Sequence, residues 1–161
     1  GSGPESTLEW VLSLGASLAT ELLRDRLRVS LLGADGVIFR PINGESTGAA
    51  ARLLATVTDV EPSGRAFLED CLADPDALGT ARTVVAGLGL LHSRDAAALV
   101  AATARVADID ALVPDARAFR LPADVVVAHE KACRLLTTSG WNVAATVPQG
   151  WGRLVAQREA R

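Results

Sequence analysis

Residues 83–113 read TVVAGLGLLHSRDAAALVAATARVADIDALV, and this stretch decides the fold class. Residues 83–88 form a short apolar run that ends on glycines, the pattern of an inner strand. Ser93 opens a helix through about Ala107, with Leu99, Val100 and Val106 on its inward face. Residues 109–113 read as a further strand. Downstream, 114–122 is irregular, 128–139 is a helix ended by Gly140 in the C′ role, and 141–146 is a strand. Pro148 then starts a closing helix with Trp151, Leu154 and Val155 inward.

Upstream the pattern changes. Residues 6–24 read as a helix, with Ser6 and Glu9 at the spacing of a capping box. Leu8, Val11, Leu12, Gly15, Leu18, Ala19 and Leu22 form its apolar face, and the polar stripe opposite is narrow, so the helix is largely buried. Residues 27–32 and 37–40 are strand signals on either side of the turn Gly33-Ala34-Asp35-Gly36. A second helix over 48–58 turns Ala50, Leu53, Leu54 and Val57 inward, and a short one over 66–72 carries Phe67, Leu68 and Cys71. Single apolar strands alternating with helices predict a three-layer α/β sandwich with a mostly parallel sheet. The oddity is the start: such domains normally open on a strand, and this one opens on a buried helix.

Composition narrows the functional classes. The chain has 161 residues, of which 49% are apolar, enough for one domain with a real core. Gly1 and Ser2, with Gly3 and Pro4, read as the scar of a cleaved expression tag, leaving a single α/β domain over 5–161. The net charge of −3 carries no basic excess of the kind that nucleic acid demands. No apolar run approaches the ~20 residues that span a bilayer, so the chain is not expected to insert in a membrane itself. Cys71 and Cys133 lie far apart and each sits in an apolar helical pattern, which predicts buried free thiols rather than a disulfide or a metal pair.

Little in the chain resembles catalytic chemistry. Gly87-Leu88-Gly89 follows a strand and precedes a helix, where a phosphate-binding turn could form. The dinucleotide fingerprint needs a third glycine at position 92, which is His92, and no Gly-Lys-Ser/Thr is present. Gly87, Gly89 and His92 are therefore the candidate ligand-binding residues, set against the plainer reading of a glycine-eased strand exit. His129, the other histidine, falls at a helix start and is expected to be solvated. No nucleophile elbow and no triad order accompany either histidine. Asp108, Asp110 and Asp115 read as a strand edge rather than a calcium loop, because the oxygen ligands are too sparse. Trp10, Trp141 and Trp151 read as core packing. No catalytic residue, metal ligand or cofactor is assigned.

A resemblance then emerges. Leu8-Glu9-Trp10 with Ala16-Ser17-Leu18-Ala19, the strand Arg28-Val29-Ser30-Leu31-Leu32 with Asp35-Gly36, and the late Leu135-Leu136, Ser139-Gly140-Trp141 and Trp151 resemble the domain-of-unknown-function 58 family. Its members carry a von Willebrand factor A-like, Rossmann-like domain. The resemblance covers nearly the whole chain and implies that the first strand, the central one of the sheet, is missing, which explains the opening helix. It implies a membrane-anchored parent with this domain in the cytoplasm, and partnership with an ATPase of the MoxR class. It also bears on metal. The adhesion site of such domains takes Asp-x-Ser-x-Ser after the first strand, a loop threonine, and an Asp after the fourth strand. Here the first element is absent, Thr47 matches the second loosely, and Gly87-Leu88-Gly89 stands where the last would be.

Two functions are thus in contention. A non-enzymatic interaction module predicts an exposed apolar or mixed patch. A nucleotide or small-molecule binding domain predicts a cleft at the exit of the 83–88 strand lined by Gly87, Gly89 and His92. The missing strand further predicts a homodimer joined through the first helix or the strand edges around 28–32 and 83–88.

Overall fold

The computed structural model describes residues 4–33, 36–40, 42, 48–60, 68, 72, 78, 81–119 and 121–146, with the side chains of 4–10 and of Thr146 left aside. The short helix expected over 66–72 (apart from single residues), the closing helix from Pro148, Thr47, Cys71 and the side chains of Ser6, Glu9, Trp10 and Trp151 lie outside that description. The chain divides into two compact units, residues 1–77 and 78–161.

In the first unit, α1 runs from Pro4 to Arg24, so Ser6 falls inside the helix rather than capping it. Leu12, Ala16, Ala19 and Leu23 recur at helical spacing and close on Phe39, Leu53 and Val57. The strands β1 (Leu31–Gly33) and β2 (Gly36–Phe39) pair antiparallel with Gly33 opposite Gly36. That register leaves a two-residue connection, and Gly36 at φ +119° supplies a backbone conformation that L side chains rarely adopt. The strand is shorter than the 27–32 expected, because Val29 joins the core without entering the ladder. Helix α2 spans Ala49–Thr58 and buries Leu53 and Val57, whereas Leu54, expected inward, is exposed. One residue along a helix turns the side chain through about 100°, which carries Leu54 off the stripe defined by Leu53 and Val57. Arg52 stacks 4.4 Å over the Phe39 ring and donates to the Arg40 carbonyl at 2.8 Å, tying α2 to the end of β2.

The second unit is built on a parallel sheet of order β3-β4-β5, with β3 at Thr83–Gly87, β4 at Asp108–Pro114 and β5 at Asn142–Thr146. Val84 pairs with Ile109, and Ala111 with Val143, and the Leu88 N–H donates to the Leu112 carbonyl at 2.9 Å beyond the last strand residue. Helices α3 (Ser93–Ala102) and α4 (Ala123–Thr138) connect the strands and pack on each other, and a 3-10 turn at Ala116–Ala118 follows β4. The chain is thus mixed helix and strand with a parallel three-stranded sheet, as an α/β fold requires.

Side-chain alternation identifies the inner strand. In β4, Ile109, Ala111 and Val113 are buried, while Asp108 and Asp110 are exposed. Ala96 and Leu99 of α3 and Ala132 and Leu136 of α4 supply the helical part of the buried core. The middle strand is therefore β4, not the 83–88 segment. Among the described residues β3 pairs only with β4, and its Val85 is 41% exposed. Helix α3 also stops earlier than its apolar pattern suggests. Thr103, buried, turns its hydroxyl back to the Leu99 carbonyl at 2.8 Å, and Val106 follows outside the helix.

Two helix ends share one device with different residues. At α4 the N–H of Trp141 donates to the Leu136 carbonyl and that of Gly140 to the Thr137 carbonyl, both at 3.1 Å, a Schellman closure with Gly140 at φ +93°. At α1 the same closure runs from Leu27 to Leu22 and from Arg26 to Leu23, at 3.0 Å each, with Arg26 forced to φ 60°. A Cβ at Gly140 would meet nothing within 4 Å, so Gly140→Ala is expected to cost only the left-handed backbone penalty, about 1–2 kcal/mol. Arg26→Gly relieves that penalty and is expected to stabilise by up to about 1 kcal/mol. Urea midpoints of the two variants should move in opposite directions; a shared direction would contradict this reading of the two ends.

Candidate functional site

The exit of β3 holds the residues singled out from the sequence. Gly87 ends the strand and is exposed, Gly89 is exposed, and a Cβ placed on Gly89 would meet nothing within 4 Å. His92 is exposed and caps α3, its N–H donating to the Asp95 carboxylate at 2.9 Å. Leu90 is also exposed, so the exit presents a surface that includes an apolar side chain. The neighbouring Leu91, by contrast, is buried.

What fixes this loop is the other histidine. His129 is 2% exposed, not solvated. Its Nδ1 accepts the Leu91 N–H at 3.0 Å, and its Nε2 lies 3.1 Å from the Pro114 carbonyl. A backbone N–H can only donate, so Nδ1 is the acceptor, and the proton belongs on Nε2, which donates to Pro114. One imidazole thus braces the loop after β3 to the end of β4. The helix bearing it begins at Ala123, five residues before the expected 128, which places His129 in the second turn. The run Val125-Val126-Val127 argues against helix on propensity alone, and burial of Ala132 and Leu136 on the same helix overrides it.

Below this brace, at the carboxyl end of β4, lies a groove of about 550 Å³. Its apolar floor includes Val113, Val143 and Ala145, which the strand register puts on one sheet face. One wall is α4, where His129, Cys133 and Thr137 follow one another at i, i+4, i+8 beside a parallel row of Glu130, Arg134 and Thr138. The opposite lip is the 3-10 turn with Asp115 and Arg117. Neither Gly87, Gly89 nor His92 lines it. Open α/β sheets gather ligands at the carboxyl ends of their strands, and this groove occupies such a place.

The polar groups of the groove are mostly engaged. Arg117 Nε donates to Glu130 across the mouth. That hydrogen bond holds the Glu130 carboxyl below its ordinary value and raises the Arg117 guanidinium. The carboxyl's folded value being depressed, the pair favours the fold above the ordinary carboxylate range, and acid removes its contribution. Asp115 accepts the Arg117 N–H at 3.0 Å and so caps the 3-10 turn. Thr137 and Thr138 donate back to the carbonyls of Cys133 and Arg134, each at 3.0 Å. Asp108 and Asp110 face away with Asn142, whose amide donates to Asp110 at 3.1 Å. Among the described residues no three His, Cys, Asp or Glu side chains converge as a metal site would need.

Cys133 Sγ lies 3.5 Å from His129 Nε2, a geometry that invites comparison with a cysteine–histidine nucleophile. The electrostatics run the other way. Burial pushes the Cys133 thiol up, with Glu130 adding to the shift, and the Nε2 proton is directed to Pro114. In a Cys71→Ser chain, Cys133 is expected to react with iodoacetamide several-fold more slowly than an unstructured cysteine at neutral pH. Reaction faster than the unstructured control would reveal an activated thiolate. Trp141 is 3% exposed and packs in the core, as expected. Neither the brace nor the groove was legible in the sequence: the available signals were His129 with Cys133 and Glu130 with Arg134, each pair at helical spacing, and spacing does not say which face is buried.

No protein-family model matches the chain, and no curated protein and no solved structure is detectably similar to it.

Proposed function

We propose that this chain is a non-enzymatic protein-interaction module. The observation that carries the reading is the outer edge of β3. Val85, midway along β3, and Leu90, just past its end, are exposed, and the groove of the second unit is lined by other residues. The outer edge of β3, which has no strand neighbour among the described residues, suits a protein partner better than a nucleotide, which needs convergent donors in a cleft. The chemistry of the histidines supports the same reading, because both nitrogens of His129 are directed at main-chain groups and His92 sits at a helix cap.

The frame we propose is a three-layer, von Willebrand A-like sandwich that lacks its first strand. The order helix, antiparallel hairpin, helix, then three parallel strands joined by helices is what such a frame leaves when that central strand is removed. On this reading the partner is an ATPase of the MoxR class, and the parent is membrane-anchored with this domain in the cytoplasm. No helix among the described residues is long and apolar enough to cross a membrane. Titrating a purified MoxR-class ATPase against the immobilised chain tests the partnership. Measurable binding that Val85→Asp with Leu90→Asp weakens about tenfold is the expected result. No binding by the parent chain would refute the partner, and unaltered binding by the double variant would refute the surface.

The outer edge of β3, which has no strand neighbour among the described residues, also motivates a homodimer. Light scattering over the micromolar range should show twice the mass of 16.7 kDa. A strictly monomeric species would remove the dimer from the proposal.

A further inference from the structure

The β3-β4-β5 sheet is covered on one face only. Its strands stand in chain order, so right-handed crossovers put both α3 and α4 on the same side. On that side Ile109, Ala111 and Val113 are buried, and Val84, Ala86 and Val143 are half-buried. On the other side the register aligns Thr83 with Asp108, Val85 with Asp110 and Asn142, and Gly87 with Leu112 and Ala144. Leu112 is half-buried there and the rest are exposed. Parallel sheets otherwise occur almost only with both faces covered. The chemistry of this open face is graded along the strands. Leu112 and Ala144 lie toward the carboxyl ends, Asp110 and Asp108 toward the amino ends, and no strand position on the face carries a base. Asp110 accepts the Asn142 amide at 3.1 Å, and neither carboxylate is ion-paired among the described residues. The same face of a second copy would bring carboxylates and no base.

The chain itself carries a complementary segment. Beyond β5, outside the described residues, Trp151, Leu154, Val155 and Arg158 recur at i, i+3, i+4 and i+7, one stripe of the helix expected from Pro148. Arg153, Arg158 and Arg161 outnumber Glu159 in that segment. A helix leaving the carboxyl end of β5 and returning along the sheet runs toward the amino ends of the strands. Its apolar residues then come first and Arg158 last, the order in which the face presents Leu112 with Ala144 and then the aspartates. The spacing agrees: Trp151 to Arg158 spans about 10 Å along a helix, and Leu112 to Asp108 about 13 Å along a strand. A helix about 10 Å wide lies over two strands about 4.8 Å apart, so it covers β5 and β4 and leaves Val85 of β3 to the partner proposed above. The groove on the opposite face matches a basic segment less well, because Asp115 and Glu130 there are balanced by Arg117 and Arg134.

We propose that the open face is the docking site of residues 148–158. Trp151, Leu154 and Val155 pack on Leu112 and Ala144, Arg158 meets Asp108 and Asp110, and the segment forms the missing third layer of the second unit. In the full chain, the Trp151 indole should transfer magnetisation to the Leu112 and Ala144 methyls. Trypsin should cut after Arg153 about tenfold faster once Ala144→Asp sets a charge under the apolar stripe. Arg158→Asp should speed the same cut about threefold, and Asp108→Arg in that chain should restore part of the protection. Slow hydrogen exchange at the Leu91 amide in each variant shows that the sheet is intact; should Ala144→Asp disturb it, the Arg158 and Asp108 changes decide alone. Transfer from Trp151 to the Val143 and Ala145 methyls would put the segment in the groove and overturn the proposal. Transfer seen only between differently labelled copies would give the face to a second chain and overturn it likewise. So would no transfer to either face, or cutting rates that none of the changes alters.

Discussion

His129→Phe is expected to be the most damaging single change away from the aliphatic core. Phenylalanine fills much the same volume, so the loss is polar. The Leu91 N–H and the Pro114 carbonyl would both remain buried without partners. Each such group costs about 1–3 kcal/mol, so a loss near 3 kcal/mol is expected. With a urea dependence of about 1–3 kcal/mol per molar for a protein of this size, the midpoint should fall by more than 1 M. His129→Asn separates the two bonds, because its amide oxygen occupies roughly the place of Nδ1. It should keep the Leu91 bond, recover about half the loss, and preserve slow hydrogen exchange at the Leu91 amide. If Phe and Asn were equally harmful, the brace would owe its effect to packing rather than to its hydrogen bonds.

Leu136→Ala is expected to cost about 3–4 kcal/mol, within the range for truncating a fully buried leucine. Leu136 is 0% exposed and also provides the carbonyl that closes the end of α4 against Trp141. Side chains at these two positions of a Schellman closure commonly touch, so the cavity would open beside the buried Trp141. The adjacent Leu135 makes a built-in control, being 37% exposed. Leu135→Ala should cost less than about 1 kcal/mol, since surface truncations rarely exceed that. Similar losses at the two positions would contradict the burial that distinguishes them.

The contrast between these leucines shows how far the sequence reaches. The doublet Leu135-Leu136 identifies an apolar helix but not which member faces inward. Only the packing of α4 decides, and the same holds for Leu53 against Leu54 on α2. Strand existence was legible where apolar runs were bounded by turn residues, as at Thr83–Gly87, Asp108–Pro114 and Asn142–Thr146. Strand rank was not. The 83–88 run is the more apolar, yet the middle position belongs to β4, whose Asp108 and Asp110 can be tolerated because they point to the exposed face. Hydropathy records total burial, whereas sheet order is fixed by pairing.

By itself the sequence determined the mixed helix–strand character, the parallel sense implied by helices between strands, and the glycine that ends α4. These are local matters: periodicity sets the element, and the left-handed backbone at Gly140 selects the residue. The tertiary structure alone decided that His129 is a buried brace, that Arg26 occupies a left-handed position without a glycine, and that Arg134 stands over an apolar groove beside β4. Each depends on groups brought together from distant parts of the chain or on a backbone closure that overrides side-chain preference. Leu91, Pro114 and His129 lie 38 and 15 residues apart in sequence, and no local rule links a ring nitrogen to a carbonyl at that separation. Their union follows from the sheet, which sets the ends of β3 and β4 side by side and lets one helix reach both.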